Sequence, residues 1–171
     1  MQSLLLLLGV LVATAIAATG GNPQTPAVKP ATPPHQFTVV PLGHIQREAG
    51  RTFLRLEPRH QEGLLGLEAW SHIWVFYWFD QNDTPEQRAT LRVHPRGNPQ
   101  NPLTGVFATR SPRRPNLVAL SLCRVVAIQE NVLELAGIDA FDQTPVIDIK
   151  PYIPGGDTPV ERVTVPDWAA R

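Results

Sequence analysis

Eighteen prolines in 171 residues constrain this chain more than any other feature. Proline has no backbone N–H and a fixed φ, so it interrupts helix interiors and central strands alike. Spread along the sequence as it is here, it argues against long helices and for short strands joined by stiff loops. The length allows one domain with a real core. Strands are expected at Phe37 to Leu42 (closed by Pro41 and Gly43), Thr52 to Leu56, Ser71 to Phe79, Leu117 to Ile128, Val132 to Leu135 and Val146 to Ile149. Gln129-Glu130-Asn131 supplies a turn, and Val163 to Val165 a possible edge strand. Glu57 to Gly66 reads as a loop or short helical turn, and Asp80 to Pro102 as one long polar loop. Short strands with many turns predict an antiparallel barrel. The run I-W-V-F-Y-W-F within Ser71 to Phe79 is expected to supply core aromatics rather than a base-stacking platform.

The N-terminus is read separately. Residues 1–18 resemble a secretory leader: Leu4 to Leu8 are unbroken, and Ala15-Ile16-Ala17 gives a small-x-small cleavage pattern after Ala17 or Ala18. The apolar stretch is shorter than the roughly 20 residues of a membrane span. Export to the periplasm or medium is expected, with no span in the mature protein; an uncleaved leader would be an anchor. Residues 19–36 read as a Pro-rich linker with polyproline II character or as a free mature N-terminus. The folded domain is expected over residues 37–168.

Fifteen basic and fifteen acidic residues balance to zero, so nucleic-acid binding would have to rest on a local patch. The one cysteine, Cys123, sits in the apolar run S-L-C-R-V-V and reads as a small buried hydrophobe. It permits no internal disulfide and no cysteine-rich metal site. His35, His44, His60, His72 and His94 lack metal-ligand spacing, so no metal is expected. No glycine-rich phosphate loop follows a strand, which argues against a Rossmann-type methyltransferase, and no G-x-S-x-G elbow appears.

Local positive charge is concentrated at Gly105 to Asn116, G-V-F-A-T-R-S-P-R-R-P-N. Val106, Phe107 and Thr109 suit a strand, and Pro112 and Pro115 suit a rigid turn. Arg110, Arg113 and Arg114, with Ser111 and Asn116, form an anion-binding candidate for phosphate, carboxylate or a nucleic-acid backbone. Read without any relative, a solvated stiff loop serves equally well. Arg92, His94 and Arg96 add positive character nearby. Asp139 and Asp142, in G-I-D-A-F-D, are acceptors that could hold a ligand or cap their own turns.

These motifs carry a family resemblance. Four blocks occur in order: G-L-E-A-W-S-H-I-W-V-F-Y-W-F at Gly66 to Phe79, the Gly105 to Asn116 stretch, D-Q-T-P-V-I-D-I-K-P-Y-I-P at Asp142 to Pro154, and P-D-W at Pro166 to Trp168. Together they closely resemble the TrmO (TsaA-like) family of S-adenosylmethionine-dependent tRNA methyltransferases. The resemblance implies an all-β fold, a small antiparallel TsaA-like β-barrel with short helical turns, here preceded by a signal peptide and Pro-rich linker. It implies S-adenosyl-L-methionine as cofactor, N6-threonylcarbamoyladenosine beside the tRNA anticodon as methyl acceptor, and a homodimer. It places cofactor contacts at Gln81, Arg110, Leu120, Gly137, Ile138, Asp139 and Asp142. Arg96, Arg113, Arg114, Asn116, Lys150 and Tyr152 are the candidate RNA contacts. Three positions depart from the pattern. The family's H-Q pair reads Asp80-Gln81, its R-P-N-P-I-G reads R-P-N-L-V-A at Arg114 to Ala119, and its D-G-T-P reads D-Q-T-P at Asp142 to Pro145. The early P-R-Q-like cofactor segment has no clear counterpart. The alternative reading is an exported, non-catalytic barrel of the same fold that binds a small anionic or nucleoside-like ligand.

Overall fold

The computed structural model describes residues 37–170; the leader at 1–18 and the linker at 19–36 lie outside them. Eight strands are present: β1 (Gly43–Glu48), β2 (Arg51–Leu56), β3 (His72–Trp78), β4 (Arg92–Val93), β5 (Thr104–Gly105), β6 (Val118–Gln129), β7 (Val132–Ala136) and β8 (Pro145–Pro151). Six of them close into an antiparallel barrel in the order β1-β2-β7-β6-β3-β8, sealed by β1 pairing with β8 at Gly43↔Val146 and His44↔Pro145. Strands β4 and β5 form a separate two-stranded ladder. Two α-helices of one turn each, α1 (Pro85–Arg88) and α2 (Pro154–Asp157), and short 3-10 turns, the longest at Pro58–Leu64 where a short helical turn was expected, complete the regular structure. The expected all-β barrel is therefore observed.

A barrel this narrow is filled by its own side chains. Ile45, Leu54, Ile73, Val75, Leu133 and Val146 are fully buried inside it. Cys123 lies among them, and burial pushes its thiol up to about 12, in keeping with a packing role. Strand alternation sorts the run on β3 differently from the expectation. Ile73, Val75 and Tyr77 point inward, while Trp74, Phe76 and Trp78 lie half-buried on the outer face. The pleat has a period of two, so adjacent rings cannot share the core.

Four further expectations are corrected. Residues Phe37 to Leu42 form no ladder, and the first strand is Gly43–Glu48. Gly43 marks a close crossing rather than a stop: a Cβ there would sit 2.1 Å from the Arg55 carbonyl oxygen. The stretch after Gly105 does not continue as a strand. Val106–Ala108 is a tight 3-10 turn anchored by buried Val106. The long loop after Asp80 holds structure of its own, because Thr84 caps α1 by accepting from the Gln87 N–H at 3.3 Å, with Pro85 at the first helical position. Val163 to Val165 joins no sheet.

Candidate functional site

Strand β7 stops at Ala136, and Gly137, at φ 88°, turns the chain across the barrel mouth. From there burial alternates. Ile138, Ala140 and Thr144 point into the barrel, while Asp139, Phe141 and Asp142 face out. This crossing segment has no ladder partner along most of its length, so side chains satisfy its carbonyls. The Tyr77 hydroxyl donates to the Asp139 carbonyl at 2.9 Å. Arg47 donates from Nε to the Ala140 carbonyl at 2.8 Å and from Nη2 to the Ile138 carbonyl at 3.2 Å. The Arg47 backbone N–H donates to Asp142 Oδ1 at 2.7 Å, and this bond leads in holding the Asp142 carboxyl below the usual range. Burial raises the Tyr77 phenol.

Two cavities meet at this segment. A broad, open cleft of about 1030 Å³ is walled by His94 to Gly97, by Phe107 to Pro112, by Asp139, and by Val165, Pro166, Trp168 and Ala169 of the C-terminal tail. A notch of about 40 Å³ lies on the other side, lined by Phe79, Asp80, Gln81, Asp139 and Phe141 among others. Asp139 borders both. The charges differ: the broad cleft carries Arg96 and Arg110 against one carboxylate, whereas the notch carries Asp80 and Asp139 with no cation. The notch admits only one small polar group, so a ligand of nucleoside size must lie mainly in the broad cleft.

The cleft's basic wall is built by local hydrogen bonds. The Ser111 N–H donates to Thr109 Oγ1 at 3.2 Å, and the Arg113 N–H to Ser111 Oγ at 3.2 Å. Arg114 folds back to donate to the Thr109 carbonyl at 3.3 Å, which makes it a brace. Arg88 donates to the Pro115 carbonyl at 3.0 Å, pinning the loop to α1. Arg110 and Arg113 remain exposed, with no hydrogen bond from their guanidinium groups among the described residues. Opposite them, His94 Nδ1 donates to the Asn101 carbonyl at 2.7 Å, and Arg96 holds a left-handed φ of 59°. Backbone held in that region by a non-glycine residue costs of order 1 kcal/mol or more.

The residues expected at a site are thus partly gathered. Arg96, Arg110 and Asp139 share the broad cleft, and Gln81 shares the notch with Asp139. Gly137 is the hinge, Ile138 plugs the barrel beneath, and Asp142 is committed to Arg47. Arg113 and Asn116 sit exposed on the loop. Leu120 lies on the outer face of β6, 37% exposed, across from Phe76. Lys150 and Tyr152 are not gathered. Lys150 pairs across to Trp74, about 10 Å of strand from Tyr77, where the notch begins. Lys150 is bonded to Asp148 at 2.8 Å, and Tyr152 packs against Trp74 with ring centroids 6.2 Å apart. Four participants were not legible as such: Arg47, Tyr77, Phe107 and Trp168. Tyr77, Phe107 and Trp168 lie inside the blocks that carry the resemblance, but no side-chain pattern there marks them as site residues, and Arg47 lies in none of the blocks.

Comparison with known proteins agrees with the barrel fold. The sequence of a "Probable S-adenosyl-L-methionine-binding protein" of Pyrococcus horikoshii is 46% identical over 125 residues, covering 73% of this chain and 89% of that protein. A mouse "tRNA (adenine(37)-N6)-methyltransferase" is 42% identical over 102 residues, 60% of this chain but 22% of that enzyme. The crystal structure of TrmO from Pseudomonas aeruginosa superposes with a TM-score of 0.59 at 32% identity, over 75% of this chain and 62% of that one. Residues 29–158 match the family of the tRNA-methyltransferase O N-terminal domain, and the chain belongs to that family.

Proposed function

We propose that this chain is an S-adenosylmethionine-dependent methyltransferase acting on an adenine amino group of tRNA. The observation that carries the reading is the shared position of Asp139, between an acidic notch and a basic cleft. The cofactor's ammonium suits the acidic notch with the rest of the cofactor in the broad cleft, where an RNA phosphate suits the basic wall. When bound, S-adenosylmethionine would supply an electrophilic methyl group to the acceptor nitrogen, with solvent or the Asp139 carboxylate to take the proton that the nitrogen releases. The chain's part is to orient and to balance charge. Asp80, Gln81 and Asp139 offer acceptors for ammonium and hydroxyl groups, and Arg110 faces the cleft as the partner for a carboxylate. Asp139 is also placed to accept a hydrogen bond from the adenine amino group.

N6-threonylcarbamoyladenosine as the acceptor and a homodimer as the assembly belong to the same proposal. The row Val118, Leu120 and Leu122 on the outer face of β6, beside Trp74, Phe76 and Trp78, supports pairing through an apolar sheet face. Sedimentation distinguishes one chain of 18.9 kDa from two. The leader-like residues 1–18 favour a second reading, an exported barrel that binds a small anion or nucleoside without turnover.

The test is calorimetric titration of S-adenosylmethionine into the full chain, followed by transfer of labelled methyl to tRNA. Micromolar binding, about 8 kcal/mol, with label appearing in tRNA supports the enzyme. Absence of binding at millimolar cofactor overturns it in favour of the exported barrel.

A further inference from the structure

Two aromatic side chains in the broad cleft are used neither by the core nor by the loop braces. Phe107 is 77% exposed, although its neighbour Val106 is buried. Trp168 is half-buried in the cleft wall on a short tail turn, fixed where the Ala169 N–H donates to the Pro166 carbonyl at 2.8 Å. Trp74 and Trp78 satisfy their indole N–H groups with Asp157 and Asp83, at 3.0 and 3.1 Å. Among the described residues, the Trp168 indole has no such partner and neither ring stacks on another. Around these rings stand Arg96, Arg110 and His94.

We propose that Phe107 and Trp168 are the stacking surfaces for the acceptor nucleobase, unstacked from a single-stranded RNA loop. This rests on the methyltransferase reading and names the part of the cleft that takes the RNA. Unstacked rings in one cleft with guanidinium groups are the combination that single-stranded nucleic acid needs: π-faces for the base and cations for the phosphates. An enzyme that modifies a base must take it out of its stack, and the rings replace the stacking lost. The cofactor also carries an adenine, so a planar nucleobase is the shared chemistry. Position and charge favour the RNA base. Both rings share the cleft with Arg96 and Arg110, which suit the phosphates of an RNA strand, whereas the notch beyond Asp139 has room for one cationic group of the cofactor. A cleft of about 1030 Å³ has room for a nucleoside beside a second ligand.

The experiment measures two affinities on the full chain and on its Trp168→Ala, Phe107→Ala and Trp168→Phe variants. One is for an anticodon stem-loop RNA, by fluorescence anisotropy over a series of salt concentrations; the other is for S-adenosylmethionine, by calorimetry. Each alanine variant is expected to lose RNA affinity about 5- to 100-fold with an unchanged salt slope, since stacking releases no counterions. Trp168→Phe keeps most of the affinity, and cofactor binding stays constant throughout. Urea midpoints confirm that the variants remain folded, and Phe107→Ala, at a side chain 77% exposed, carries the test if Trp168→Ala does not fold. Loss of cofactor affinity with RNA binding intact would assign the rings to the cofactor adenine and overturn the proposal. Unchanged RNA affinity in folded variants would also overturn it, while leaving the methyltransferase reading standing. Wild-type chain that binds neither molecule would end both.

Discussion

The Tyr77 hydroxyl reaches from the barrel core to the Asp139 carbonyl, 2.9 Å away, on the segment that closes the barrel mouth. The same hydroxyl lies 3.2 Å from Ser121 Oγ on β6. Arg47 holds the carbonyls on either side of Asp139, at Ile138 and Ala140. Three consecutive carbonyls are therefore tied to side chains from β1 and β3. The residue that borders both cavities is positioned by the barrel itself, which gives a site better defined than a free loop would.

Tyr77→Phe removes only the hydroxyl and preserves ring packing. The Asp139 carbonyl then loses its donor, a change worth about 1 kcal/mol. Urea denaturation is expected to show that loss with an unchanged slope. S-adenosylmethionine affinity, measured by calorimetry, should fall modestly, because Asp139 loses one of the bonds that position it while Arg47 still holds its neighbours.

Arg47→Ala is expected to cost more, about 1.5–3 kcal/mol, because its two side-chain bonds come from a charged donor. Arg47→Lys should recover only part, since an ammonium cannot fork to two carbonyls. Hydrogen exchange should show residues 138–143 losing protection before the barrel strands do.

Asp142 gives a pH test with a defined sign. Its folded carboxyl is held low, first by the Arg47 backbone N–H. That contribution is fully present above the unfolded value of about 3.9 and is lost as pH falls through the folded value. The urea midpoint of wild type minus that of Asp142→Asn should be constant near neutrality and shrink below about pH 4. Asp83, Glu86 and Glu134 are also lowered, but they are common to both proteins and cancel in the difference.

Much of the barrel was legible because its strands carry strong signals. Strands β3, β6, β7 and β8 are apolar runs bounded by turns, and they fall close to where the sequence places them. Strand β1 was missed because G-H-I-Q-R-E offers one inward apolar residue, Ile45, and begins with a glycine that reads as a breaker. The site was legible only through motifs. Arg110 and Asp139 stand out as residue types in quoted blocks, but Arg47 and Tyr77 act through backbone carbonyls, and no pattern in side-chain chemistry announces such a bond. Nothing along the chain showed that Lys150 and Tyr152 fall at the far end of β8, because separation along a strand becomes distance only once register is known.

Arg110→Ala is expected to leave stability within about 0.5 kcal/mol of wild type, because the side chain is exposed and bonds to no protein group among the described residues. Ligand binding should be lost, read as calorimetric heat for the cofactor and anisotropy for RNA. A large drop in the urea midpoint would instead make Arg110 a brace of the kind that Arg114 is.

Gln143 occupies the turn position where the related motif D-G-T-P has glycine, and it keeps the left-handed backbone at φ 65°. The turn is fixed by two backbone bonds made with Ile45: the Gln143 N–H donates to its carbonyl at 2.7 Å, and its N–H donates to the Thr144 carbonyl at 2.9 Å. The geometry is thus retained and the side chain bears the strain. A non-glycine residue in this region costs about 1 kcal/mol, against which glycine's extra unfolded-state entropy takes back a part. The Gln143 amide makes only a long bond of 3.4 Å to the Asp142 carboxylate, so little is lost with it. Gln143→Gly is therefore expected to raise the urea midpoint slightly, by up to about 1 kcal/mol, where most substitutions in a tight turn lower it. Gln143→Val should move it the other way, because branching at Cβ crowds a left-handed backbone further. If glycine destabilises the domain instead, the turn is set by the Gln143 side chain and not by the bonds to Ile45.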